Sequence, residues 1–205
     1  MDKSLLQGIR HLKKNDQVLS SVINKIGSCN LTPRKEYFQS LVRSIISQQI
    51  STSAATTIRE RLFSKLNNEV NPDGILRLKE NDFKKIGISP QKQKYLLDLS
   101  SKVKNKELDL EKISILGDEE VINQLVQVKG IGRWTAEMFL IFSLNRYNVL
   151  PVADLGLQKG IMHSYKLRKM PSAAKIQQIS KKWGPYRSIG TWYMWQYMNN
   201  GLFKK

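Results

Sequence analysis

Two short stretches of this chain hold residues whose types and spacing could do chemistry. The first is Asp154, which follows the loop Leu150-Pro151-Val152 and stands just before a helical segment opening at Leu155. An aspartate there reads as a helix N-cap, a role worth roughly 1 kcal/mol. The same geometry suits catalysis. A carboxylate at a helix N-terminus meets free amides and the positive end of the helix dipole, and both favour a fixed anion. Beside a dry pocket, such an anion could stabilise an oxocarbenium-like sugar cation as a glycosidic bond breaks, or orient or deprotonate a water. The residues alone leave both readings open. Glu137 is the rival carboxylate, placed mid-helix without such amides.

The second stretch is Lys129-Gly130-Ile131-Gly132-Arg133, a very short break between two apolar-periodic segments. Two helices joined by Gly-Ile-Gly make a tight turn, because glycine tolerates positive φ and close backbone approach. The following helix begins at once, so amides near Gly130, Gly132 and Trp134 are expected to point outward. A helix N-terminus of this kind attracts phosphate. Lys129 and Arg133 flank it, Thr135 adds a hydroxyl, and Ile131 plugs the turn against the core. The chemistry is a phosphate clamp that reads no base. The bland alternative is an ordinary Gly-capped helix pair.

The elements that must position these residues read as helices almost throughout. Phe38, Leu41, Val42, Ile45 and Ile46 recur at helical spacing, and Gln48-Gln49-Ile50-Ser51 interrupts them. Ser51 caps a helix burying Ala54, Ala55, Ile58 and Leu62; Ser89-Pro90 opens another with Tyr95, Leu96, Leu99 and Val103. Acids after Gly117 start a helix with Val121, Ile122, Leu125 and Val126 on its face. The segment from Arg133 to about Asn145 is almost wholly apolar, as a central buried helix is. Further helices are expected over Leu155–Leu167, from Pro171-Ser172, and after Gly184-Pro185, the last with Tyr186, Ile189, Tyr193 and Tyr197 on one face. No strand or repeat is evident.

Composition bounds the partners. The 205 residues include 34 Lys and Arg against 17 Asp and Glu, a net charge of +17. A surface so cationic seeks polyanions, nucleic acid first and anionic membrane second. Basic residues spread along the whole chain favour nucleic acid over a membrane-surface helix. Hydrophobic residues at 40% suffice for a packed core, so the charge does not signal disorder. One cysteine excludes a disulfide framework, a structural zinc site and a four-thiolate cluster. His11 and His163 have no second ligand at metal spacing. Met1–Arg10 lacks the apolar run of a secretion signal, and the apolar stretch around Met138–Phe142 is too short to span a membrane. A soluble intracellular protein, not secreted, is expected.

Taken together, LVRSIISQQISTSAA (41–55), VKGIGRWTAEMFLIFSL (128–144), VLPVADLGLQKGI (149–161) and WGPYRSIGTWYMW (183–195) resemble the helix-hairpin-helix DNA glycosylase superfamily, in its 3-methyladenine DNA glycosylase II (alkylation repair) branch. The resemblance implies an all-α, two-lobed fold with the active-site cleft between the lobes. One lobe would span 36–145, with the helix-hairpin-helix in 121–145; residues 1–35 and 146–205 would form the lobe carrying the catalytic aspartate. It implies a monofunctional enzyme that excises alkylated purines such as 3-methyladenine and 7-methylguanine in base excision repair. Asp154 would be the essential carboxylate. Gln48, Gln49, Ile50 and Ser51 would form the minor-groove wedge, with Gln49 or Ile50 filling the hole left by the flipped nucleotide. Trp134, Met138 and Trp195 would hold the base, whose positive charge attracts aromatic faces by roughly 0.5–2 kcal/mol. Trp183, Trp192 and Tyr197 are assigned to core packing.

Lys129, Gly130, Gly132, Arg133 and Thr135 would grip the DNA backbone. Carbonyls of Val126, Val128 and Ile131 would hold a monovalent cation bridging to phosphate; no other cofactor is implied. The partner would be double-stranded DNA with damaged bases, bound by a monomer in the cytoplasm or nucleoid, or in the nucleus. Three departures stand out. Trp134 lies where bifunctional relatives carry a nucleophilic lysine, so no Schiff base or strand cleavage is expected. The iron–sulfur cysteines of other branches are absent. Ala153 replaces a second aspartate, and Lys129 replaces a proline. The alternatives are another lesion (uracil, hypoxanthine or oxidised guanine), a non-catalytic damage-binding protein, or a basic helical RNA-binding module.

Overall fold

The computed structural model describes residues 3–204 and contains no strand among them. Met1 and Asp2 of the opening stretch, and Lys205 at the end of the second expected lobe, lie outside the described residues. In chain order the helices are α1 (Lys3–Asn15), α2 (Gln17–Ile26), α3 (Tyr37–Ser47), α4 (Thr52–Lys65), α5 (Pro72–Arg77), α6 (Glu80–Ile86), α7 (Pro90–Lys104), α8 (Asp118–Leu125), α9 (Arg133–Phe142), α10 (Leu155–Ser164), α11 (Ala173–Ser180) and α12 (Arg187–Asn199). Local chemistry sets most starts. Ser51, Ser89, Asp154 and Ser172 each accept an amide of their own first turn, which satisfies one of the donors a helix start leaves open. Glu120 reaches back to the Gly117 amide at 2.7 Å to open α8.

Two helices stop earlier than their sequence patterns. The apolar run predicted to about Asn145 ends as α9 at Phe142, because Asn145 takes a left-handed φ of 55° and the Arg146 amide turns back to the Leu140 carbonyl at 2.9 Å. The run predicted to Leu167 ends as α10 at Ser164. Lys166 is left-handed at φ 54°, and the Leu167 amide closes onto Met162 at 2.8 Å.

The chain divides into two compact units, Arg34–Phe139 and Met1–Pro33 with Leu140–Lys205, so the division falls within α9. In the Arg34–Phe139 unit the core is Leu41, Val42, Ile45 and Ile46 of α3, Leu62 of α4, Leu96 and Leu99 of α7, and Val121, Ile122 and Leu125 of α8. Each such side chain contributes about 1.5–3 kcal/mol on burial. Ala54 is exposed and Ile58 half-buried, so the face of α4 is narrower than its sequence suggests. On α9, Ala136 and Phe139 are buried while Trp134 is 47% exposed; the helix is not buried all round, and it opens at its N-terminus.

In the other unit α12 is the central helix. Seven consecutive residues, Ser188 to Met194, are buried, where one apolar face was predicted. Asp16 is fully buried there as the N-cap of α2. It accepts the Leu19 amide at 3.1 Å, the Trp183 indole N–H at 2.8 Å and the Tyr165 hydroxyl, with Lys182 Nζ at 3.3 Å. Burial, and then Asp16, push the Tyr165 phenol above its ordinary range. Trp183 is fully buried and Trp192 7% exposed; Tyr197 is half-buried.

Candidate functional site

Asp154 caps α10 from a loop that is tied down along its length. The Ser188 hydroxyl donates to the Arg146 carbonyl at 2.6 Å and accepts the Val149 amide at 3.0 Å, and the Ser188 amide donates to the Tyr147 carbonyl at 2.8 Å. The Gln158 side chain donates to the Val152 carbonyl at 2.9 Å, and the Asp154 amide closes onto Pro151 at 2.9 Å. The aspartate is 8% exposed. Its Oδ1 accepts two donors, the Leu157 amide at 2.6 Å and the Trp195 indole N–H at 2.7 Å. The Trp195 ring stacks on Phe142, with centroids 5.6 Å apart and planes 20° apart.

Trp195 thus holds the carboxylate, a role its residue type alone did not reveal. Ser188 and Trp195 lie seven residues apart on α12, hence on one face of it. One helix therefore fixes both the loop and the acid at its end. Gly156 leaves the room this needs: a Cβ there would sit 2.9 Å from Trp195 Cδ1 and 3.1 Å from Asp154 Oδ1. Neither Ser188 nor Gly156 was singled out from the sequence. The spacing of Ser188 from Trp195 was the available signal. A buried carboxylate fixed by two N–H donors is an arrangement that can stabilise a positive charge developing beside it. Ala153 beside it is exposed.

In the other unit the hairpin runs from the end of α8 to the start of α9. Gly130 has φ 82°, and a side chain there would run into the Tyr95 ring. Ile131 is 4% exposed and plugs the turn. The Gln48 amide group donates to the Gly130 carbonyl at 2.8 Å. That ties the Gln48–Ser51 turn to the hairpin and engages Gln48 within the protein. Gln49 projects from the turn with a left-handed φ of 56°, Ile50 is 37% exposed, and Ser51 accepts the Ala54 amide at 3.2 Å.

The expected cations of the hairpin differ from one another. Arg133 grips Glu119 with two nitrogens at 2.5 and 3.0 Å, and its Nε lies 3.3 Å from Glu137. The pairing with Glu119 holds the guanidinium above its ordinary value and the Glu119 carboxyl below its own. Arg133 is therefore engaged by two carboxylates, and Glu137, the rival acid, is part of that pairing. Lys129 keeps a side chain 73% exposed, with Nζ 3.9 Å from Asp98, whose other oxygen accepts the Lys129 amide at 2.9 Å. Thr135 is only 6% exposed. Of the three carbonyls expected to face a cation, that of Val128 accepts the Ile131 amide at 3.0 Å, which leaves it a second lone pair.

Trp134 and Met138, one turn apart on α9, line a cavity of about 840 Å³ in this unit, together with Gln48, Gln49 and Ile50. His11 bonds the Lys182 carbonyl at 3.2 Å, and His163 packs on Phe203. Among the described residues, no three His, Cys, Asp or Glu side chains gather as a metal site, and no helix is long and apolar enough to cross a membrane.

Known proteins resemble this chain across nearly its whole length. DNA-3-methyladenine glycosylase 1 of Schizosaccharomyces pombe is 32% identical over 201 residues, covering 94% of this chain and 87% of the relative. The solved structure of a 3-methyladenine DNA glycosylase from the same yeast, in complex with abasic DNA, superposes with a TM-score of 0.83 at 30% identity, covering 94% of this chain and 97% of the other. A DNA-3-methyladenine glycosidase structure from Bacillus halodurans gives 0.85 at 31% identity, with 95% and 90% covered. Residues 42–185, which include the hairpin and Asp154, match the family described as HhH-GPD superfamily base excision DNA repair protein. The chain belongs to the HhH-GPD superfamily of base excision DNA repair proteins.

Proposed function

We propose that this chain is a monofunctional DNA glycosylase that hydrolyses the N-glycosidic bond of alkylated purines and leaves an abasic site. The observation that carries the reading is the Asp154 carboxylate, 8% exposed and held by two N–H donors on one oxygen, in a chain of this family. The unit bearing Asp154 acts as the catalytic lobe, and the unit bearing the hairpin and the Gln48–Ser51 turn as the DNA-gripping lobe.

The target base leaves the stack before reaction, at a cost lowered by the poor pairing of a damaged base. An N3- or N7-alkylated purine carries a positive charge. When the C1′–N9 bond breaks, its electron pair neutralises the base, which departs without a general acid. The positive charge passes to the sugar, where the Asp154 carboxylate stabilises it. Water adds at C1′ and gives up a proton, which the same carboxylate can accept. Trp134, 47% exposed, offers an aromatic face to the cationic base, and Met138 stands one turn behind it. With tryptophan at position 134 no amine attacks the sugar, so the reaction stops at hydrolysis. Lys129 supplies charge to the phosphate grip, and Gln49 or Ile50 fills the vacated stack. The carbonyls of Val126, Val128 and Ile131 suit a monovalent cation, which would add positive charge facing a phosphate. The enzyme works where DNA is, in a nucleoid or nucleus.

The test is base release from DNA treated with a methylating agent, with the released bases identified. Release of 3-methyladenine and 7-methylguanine, without strand cleavage, is the expected result. Release of uracil, hypoxanthine or oxidised guanine alone would overturn the substrate assignment, and no release at all would leave a damage-binding protein.

A further inference from the structure

One end of the 840 Å³ cavity has no part in the chemistry above. Ser40, Arg43, Ser44 and Ser47 follow one another at helical spacing along α3 and line it, together with Arg34 and Arg59. No carboxylate lines that cavity. Arg34, Arg43 and Arg59 make no ion pair among the described residues. The Arg43 guanidinium carbon stands over the Phe63 ring, 5.1 Å from its centroid, and its Nε is buried with no hydrogen-bond acceptor; the buried Ser40 hydroxyl also lacks a partner. Burial first, then the charges of Arg34 and Arg59, push the Arg43 guanidinium below its ordinary value, against a smaller opposing pull from Glu36.

Three guanidinium groups around one cavity, with buried donors unanswered, form a costly arrangement unless an anion completes it. Guanidinium forks match the oxygens of a phosphate, and serine hydroxyls add neutral donors. The same cavity continues to Gln49 and Ile50 of the exposed turn. We propose that Arg34, Arg43 and Arg59, with Ser40 and Ser44, seat a backbone phosphate of the bound duplex, separate from the phosphate at the hairpin. This rests on the glycosylase reading for the identity of the polyanion.

The experiment measures binding of a duplex carrying an uncleavable abasic analogue between about 50 and 200 mM salt. The R34Q/R59Q variant leaves Arg43 and its packing on Phe63 in place. Its slope of log K against log salt should be shallower than that of the intact chain by about 1, with lesion preference unchanged. The K13Q/K14Q variant removes the same charge from the end of α1 and should keep the original slope. R34K/R59K, which keeps the charge, should retain the slope; if the glutamine pair fails to fold, R34Q and R59Q are measured singly, and an unchanged slope in both overturns the proposal. An unchanged slope in R34Q/R59Q, or an equal loss in K13Q/K14Q, overturns the proposal. So does thermal stabilisation by inorganic phosphate, lost in R34Q/R59Q, when the duplex slope is unaffected; the seat would then take free phosphate. Base release by the intact chain is measured in parallel. Its absence alongside a shallower slope would sink the enzymatic reading and leave the phosphate seat standing.

Discussion

The indole N–H of Trp195 donates to the same Asp154 oxygen that caps α10, at 2.7 Å beside the Leu157 amide at 2.6 Å. The two donors come from different helices, so the carboxylate cannot swing without breaking one of them. Capping and the catalysis proposed for Asp154, which compete as readings of an isolated aspartate, would here depend on one geometry.

Asp154→Asn keeps a capping oxygen and removes the charge. Base release should fall by at least about 10²–10³-fold, the size of a lost electrostatic contact at a reacting centre. Affinity for an abasic-analogue duplex should stay within a few-fold. Single-turnover release and equilibrium binding on the same preparation check this, and unchanged turnover would remove Asp154 from its role.

Trp195→Phe retains a ring to stack on Phe142 and loses the N–H. A hydrogen bond to a charged group contributes about 1.5–3 kcal/mol, so kcat should drop by about tenfold to a hundredfold while KM barely moves. A rise in KM with kcat unchanged would assign Trp195 to base stacking instead.

The two hairpin glycines should respond differently to alanine. At Gly130, φ is 82° and Tyr95 occupies the space a side chain needs, so Gly130→Ala should cost more than about 1 kcal/mol of stability. A Cβ at Gly132 meets nothing within 4 Å. Gly132→Ala should therefore fold normally yet bind duplex DNA less tightly, as expected where a phosphate approaches. Thermal unfolding and anisotropy titrations separate the two effects.

Lys129 and Arg133 should likewise part company. Lys129→Gln should flatten the salt dependence of duplex binding by about 1 and weaken all duplexes alike. Arg133→Gln should leave that slope nearly unchanged, because Glu119 and Glu137 already hold the guanidinium. Equal slopes for the two variants would contradict the division of roles.

Burial pushes the Cys29 thiol up to about 11 from an ordinary 9.0, against a smaller opposing hydrogen bond involving Leu31. The folded chain then keeps a proton that the unfolded chain releases. The stability this contributes, about 2–3 kcal/mol, is fully present below pH 9 and is lost as pH rises through about 11. Tyr193, pushed above its ordinary range by burial and then by Cys29, acts in the same direction at higher pH. Urea unfolding at increasing pH should show stability falling across this window, and Cys29→Ala should flatten the fall.

Helix placement was legible in the residues because capping is local: Ser51, Ser89, Asp154 and Ser172 each bond an amide within their own first turn. The hairpin and its buried Ile131 were legible for the same reason, as a turn of a few residues obeys short-range sterics. Charge set the class of partner, since a net +17 does not depend on folding. What the chain order could not contain was pairing across distance. Arg133 reads as a free cation until α8 brings Glu119 to it, and nothing in the order of residues shows that the Gln48 amide group donates to the Gly130 carbonyl. The hold of Trp195 on Asp154, forty-one residues away in sequence, is likewise a contact that sequence order does not contain. Hydrogen bonds and ion pairs fall away within a few ångströms, so only the tertiary structure decided which of the many polar side chains satisfied one another and which were left to face a ligand.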